Sequence, residues 1–87
     1  MTMTISELET KLVDRHQITV LKRMNGPVDI VGINGYKLSV TAQSVDTTGR
    51  SNDQILELFA CYKGKSAVSI YEINDTNVRF STIRLDV

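Results

Sequence analysis

The chain has 87 residues, 41% of them hydrophobic and 23% charged, with ten Lys and Arg balanced by ten Asp and Glu. A chain this short is expected to fold as one domain, burying about 60–65% of the surface it exposes when unfolded, with little room for an enclosed cofactor cavity. Zero formal net charge removes the bulk attraction behind nonspecific binding to nucleic acid or a membrane surface, and it lowers the barrier to self-association.

The first element is a helix expected over residues 5–15. Ile5, Leu8, Leu12 and Val13 recur at helical spacing. Thr4 with Glu7 reads as a capping box, in which the hydroxyl satisfies a free amide and the carboxylate reaches back, and Ser6 with Glu9 is a competing cap two residues on. The stretch from Met1 to Leu12 carries Glu7 and Glu9 in place of a basic start and an apolar run, so no secretory signal is expected.

Two Asn-Gly pairs, Asn25-Gly26 and Asn34-Gly35, punctuate residues 17–44. Each suits a two-residue hairpin turn in which both central residues take positive φ. The first turn sets Lys22 against Asp29, Val20 against Val31 and Ile18 against Ile33. The second sets Ile33 against Tyr36 and Val31 against Leu38. The two registers share their apolar rows, Ile18–Ile33–Tyr36 and Val20–Val31–Leu38. That agreement predicts a three-stranded meander, because a slip of one residue would turn every side chain over.

A polar loop spans residues 44–50. A second helix is expected over residues 52–63, capped by Ser51 with Gln54, and Gly64 is its stop. Its buried stripe reads Ile55, Leu58, Phe59 and Tyr62, with Leu56 and Ala60 at the margin. Residues 66–73 and 78–85 read as a hairpin around Asn74-Asp75-Thr76-Asn77, pairing Ile73 with Val78, Glu72 with Arg79 and Tyr71 with Phe80. The fold class is α+β: an antiparallel sheet, built from the meander and the hairpin, with two helices in the order α-β-β-β-α-β-β.

The chemistry-bearing residues are few. His16 is the one histidine and Cys61 the one cysteine. His16 stands where a helix ends and reads as a C-terminal cap. Cys61 lies on the apolar second helix and reads as a small core residue, since the end of a helix disfavours a thiolate. One His and one Cys cannot supply the several ligands of a zinc site. No Gly-rich turn precedes a Lys in the manner of a phosphate loop. No catalytic, cofactor-binding or metal-binding residue is assigned, and no enzyme is expected. The lone cysteine fits a reducing compartment. No apolar run reaches the roughly 18 residues of a membrane helix. The expected location is the cytoplasm.

The order α-β-β-β-α of residues 5–63 is similar to that of double-stranded-RNA-binding domains, and Gly26-Pro27 falls where that family has a Gly-Pro. That family opens its second helix with clustered lysines, whereas Arg50-Ser51-Asn52-Asp53 stands here. The resemblance is one of topology.

Surface remains. The meander register gathers Leu21, Val28 and Ile30 on the face opposite the Val20 row, beside Arg23 and Lys37. An apolar patch rimmed by polar groups marks an interface, unless the C-terminal hairpin folds over it. The expected function is a small noncatalytic protein-binding module. It would act through Leu21, Arg23, Val28, Ile30 and Lys37 on another protein or on a second copy as a homodimer. Small size and an α+β architecture are common to phage and mobile-element accessory proteins that inhibit a host complex. The alternative is a nucleic-acid-binding domain using Arg23, Lys37, Arg50, Lys63 and Lys65. An aromatic content of 6% offers that alternative few stacking platforms.

Overall fold

A computed structural model of the chain describes residues 3–21, 32–33 and 36–86, with the side chains of residues 32, 33, 36–38, 85 and 86 outside that description. Both helices begin at their expected capping boxes. Thr4 Oγ1 accepts from the Glu7 amide at 3.1 Å, and the Thr4 amide donates to Glu7 Oε1 at 3.3 Å. Helix α1 then runs Ile5–His16. Ser51 Oγ accepts from the Gln54 amide at 3.2 Å, and Gln54 Oε1 accepts from the Ser51 amide at 2.8 Å. Each box satisfies amides that the first turn of a helix leaves unpaired.

Helix α2 is shorter than expected. It spans Asn52–Leu58, and a 3₁₀ turn, Ala60–Tyr62, follows. The Tyr62 amide donates to Phe59 and the Lys63 amide to Ala60, at 3.0 and 3.2 Å. Residues three apart eclipse in a 3₁₀ turn. Phe59 and Tyr62 therefore both meet Phe80, with ring centroids 4.7 and 5.8 Å away. The tightening also changes which residues face inward. Leu56 is fully buried and Leu58 half-buried, the reverse of the expected order. Cys61, expected in the core, is exposed.

The class is α+β, as expected, but the sheet is not a plain meander with a hairpin added. Strands β1 (Gly32–Ile33), β2 (Tyr36–Asp46), β3 (Ala67–Ile73) and β4 (Asn77–Asp86) form one antiparallel sheet in the order β1-β2-β4-β3. The second Asn-Gly register holds where it is described, with Ile33 opposite Tyr36. The expected pairing of Ile18 with Ile33 does not form, because residues 18–21 lie along the other edge of the sheet. Val20 makes a parallel bridge to Val68. The Val68 amide donates to Thr19 and the Leu21 amide to Val68. The reason lies at the end of α1. Gln17 takes the left-handed conformation, and the Ile18 amide donates back to Leu12 at 3.2 Å. This turn folds the chain onto the outer side of β3. The first Asn-Gly turn and the Lys22–Asp29 pairing fall outside the described residues.

The C-terminal hairpin joins the meander's last strand side by side. β2 pairs with β4 from Lys37↔Asp86 to Asp46↔Asn77. The hairpin turn is held by Asn74, whose Oδ1 accepts from the Thr76 amide, the Thr76 hydroxyl and the Asn77 amide at 2.8–3.0 Å. Ile73↔Val78 and Glu72↔Arg79 form as expected, but a bulge at Tyr71 then sets Ile70, not Tyr71, opposite Phe80. The extra residue lets Ile70 and Ile73 share the core face. Tyr71 is left beneath the Arg79 guanidinium, 5.5 Å from its ring centre.

The core lies between the helices and the β3–β4 half of the sheet. Leu8, Leu12, Leu56, Phe59, Val68, Ile70, Val78 and Phe80 are buried in it, with Met3, Ile18 and Ile55 at its margin. Val13, expected in the stripe of α1, is exposed instead.

Candidate functional site

The site follows from what the helices leave uncovered. Helix α1 packs on β3, and the seven residues of α2 reach only about 10 Å at 1.5 Å per residue. On the same face of the sheet, β2 carries Ser39, Thr41 and Gln43, alternating residues that share a side. The cross-strand partners of Ser39 and Thr41 are Arg84 and Thr82 of β4. These polar side chains floor a groove of 410 Å³, and Tyr62, Lys65 and Ser66 form its wall. A second cleft of 380 Å³ opens on the other side of the same wall, against Gln17 and Thr19. The two clefts share Lys65, Ser66 and Arg84. No acidic residue lines either of them among the described residues.

Local backbone chemistry sets the wall. Gly64 adopts φ +72°, a left-handed conformation that glycine takes at little cost. The turn brings the Lys65 and Ser66 amides back onto the Tyr62 carbonyl at 3.0 and 3.3 Å. Burial pushes the Tyr62 phenol above its ordinary pKa, and the neighbouring Cys61 adds to the shift. The phenol therefore keeps its proton and remains a donor at the groove wall.

Arg84 differs from the other described arginines. Arg15 pairs with Asp53 at 3.0 Å. Arg50 donates through Nε to the Asp46 carbonyl at 3.2 Å, and Arg79 lies over Tyr71. Arg84 and Lys65 have neither an ion pair nor a hydrogen-bond partner for their side chains among the described residues. Among the described residues, two unengaged cations thus line one groove over a floor of hydroxyls and an amide.

Structure and expectation differ over the expected interface. Leu21 is half-buried on the outer edge of β3, while Lys37 lies on β2. With β3 and β4 between them, the strands that carry them lie about 14 Å apart across the sheet, at roughly 4.8 Å per step, and Lys37 is displaced further along β2. Arg23, Val28 and Ile30 lie outside the described residues. Of the cations named for nucleic acid, Lys63 and Lys65 fall at the groove end of the molecule. Arg50 sits at the opposite end of β2, beside the β3–β4 turn. Arg84, which no motif marks, was missed. Its one sequence signal is period-two alternation in β4, which puts it on the same side as Phe80 and Thr82.

The remaining chemistry-bearing residues are committed to structure or isolated. His16 is more than a cap on its own helix. Its Nε2–H donates to the Leu56 carbonyl at 3.1 Å, and Glu57 Oε1 lies 3.7 Å from the same nitrogen. With Arg15–Asp53, this clamps the end of α1 to α2. Asp53 and Glu57 face the basic last turn of α1. Thr48 donates to Asp46 Oδ1 through its amide at 2.9 Å. That bond first, then one from the Thr48 hydroxyl, holds the Asp46 carboxyl below its ordinary pKa. Among the described residues, no three His, Cys, Asp or Glu side chains gather where a metal could be held. No described helix is long and apolar enough to cross a membrane. Comparison with protein-family models, curated proteins and solved structures finds no match to this chain.

Proposed function

We propose that this chain is a small noncatalytic protein-binding module whose working surface is the groove between β2 and the α2–β3 corner. One observation carries the reading: among the described residues, Arg84 and Lys65 lie unengaged over an open polar floor while the other arginines are committed within the fold. Unpaired donors beside an open cleft can donate to a partner's acceptors at little internal cost. The groove is shallow and polar, which suits a segment of another protein better than an enclosed small molecule. Nucleic acid is the weaker fit. Binding to a duplex draws on many phosphate contacts, and the described residues of the groove include two cations, on a chain of zero net charge. A module that occupies a partner's surface in this way would act as an inhibitor or modulator, the role the small α+β architecture first suggested.

The test is co-purification from the native cell with Lys65→Glu and Arg84→Glu together, the captured protein being identified by mass. Both residues are exposed, so the variant should keep the wild-type melting temperature and lose the partner. Leu21→Ser with Ile30→Ser is the parallel variant. Loss of the partner there, with retention in the charge-reversed protein, would move the interface to the face expected from the sequence.

A further inference from the structure

We infer that the groove takes an extended acidic peptide segment of the partner, with carboxylates at alternate positions; this rests on the protein-binding reading above. Charge is the first reason. Lys65 and Arg84 line both clefts, and the described lining residues include no carboxylate to compete for them. Carboxylates are the protein groups that match these donors, Arg84 by its two-pronged guanidinium and Lys65 as a point charge.

Spacing is the second reason. Ser39, Thr41 and Gln43 lie on one face of β2, two residues apart. That repeat is about 6.6–6.8 Å, the same as between alternate side chains of an extended peptide. The floor from Ser39 to Gln43 covers about 13 Å, room for four or five residues of such a peptide. The cations stand toward the Ser39 end, since Arg84 is the cross-strand partner of Ser39. The peptide's carboxylate at that end meets the two cations, and those further along meet the hydroxyl and amide donors of Thr41, Thr82 and Gln43. A folded partner with a flat basic or apolar surface has no comparable fit.

The probe is a synthetic hexapeptide of alternating glutamate and serine, titrated into the isotopically labelled full chain and followed by amide chemical shifts. The expected result is a saturable set of shifts at Thr41, Gln43, Lys65, Ser66 and Arg84. Raising salt from about 0.05 M to about 0.5 M should weaken it, because exposed charge pairs are screened. Lys65→Gln or Arg84→Gln should each weaken it about threefold to fivefold, and the pair about tenfold or more. A peptide with glutamine for glutamate should give no saturable shift. The inference is overturned if the shifts are absent or lie elsewhere, if the double variant leaves them unchanged, or if an oligothymidylate of equal charge binds more tightly. The two proposals fail separately. If the peptide fails while charge reversal still abolishes capture of the native partner, the groove is the working surface and its ligand is not acidic. If the peptide binds while native capture survives charge reversal, the binding-module reading fails at this groove.

Discussion

Replacing Leu56 and Leu58 by alanine, one at a time, tests how the second helix sits. Leu56 has 0% exposure and belongs to the core cluster. Its truncation removes buried methyl groups and leaves a cavity that a close-packed interior fills only in part, at about 2–5 kcal/mol. Leu58 is half-buried, so a smaller cost of about 1 kcal/mol is expected from the area it covers. A domain of this length has roughly 4–13 kcal/mol of stability, so the Leu56 variant should lose a large share and remain measurable. With a urea slope of about 1 kcal/mol/M, its midpoint should fall by about 2–5 M, against about 1 M for the Leu58 variant. The assay is urea unfolding followed by far-ultraviolet circular dichroism, because the chain has no Trp. A Leu58 variant that loses as much as the Leu56 variant would refute the inward assignment. It would restore the continuous helix over residues 52–63, with Leu58 in the stripe.

Three further outcomes are expected. Cys61 is exposed, so a thiol reagent should modify the native protein at a rate close to that in denaturant; strong native protection would return the residue to the core. His16→Ala removes the bond to the Leu56 carbonyl and should cost about 1–2 kcal/mol, while an unchanged thermal midpoint would show that the α1–α2 clamp adds nothing. Asp46 has a lowered folded-state pKa, so its contribution is present above the unfolded value near 3.8 and is lost as pH falls through the folded value. Asp46→Asn should therefore lower the urea midpoint at about pH 7 and leave it nearly unchanged at about pH 2; an equal change at both would assign the effect to something other than charge.

Local signals read well from the sequence, and long-range ones did not. Thr4 with Glu7 and Ser51 with Gln54 act within one turn, so the residues themselves decide the geometry. Ile33 likewise lies opposite Tyr36, the pairing that the Asn34-Gly35 spacing implies. The neighbour of a strand is a tertiary matter. Ile18 and Val20 do face the core as their spacing implies, but Val20 meets Val68, forty-eight residues on. The bulge at Tyr71 has no marker in the residues around it, because a Tyr fits either face of a half-buried strand. The change from α-helix to 3₁₀ turn after Leu58 was hidden by an apolar run that satisfies both periodicities, and Cys61 was misplaced with it. The groove was unreadable for a related reason. It exists because α2 is short and β2 lies beside β4, and neither fact is written in a motif.

The central claim is that partners bind across the β2–β4 groove, and amide hydrogen exchange on the partner-bound complex tests it most directly. Slowed exchange confined to residues 39–43, 65–66 and 82–84 is the predicted result. Protection centred on the outer edge of β3 near Leu21, with the groove unchanged, would contradict it.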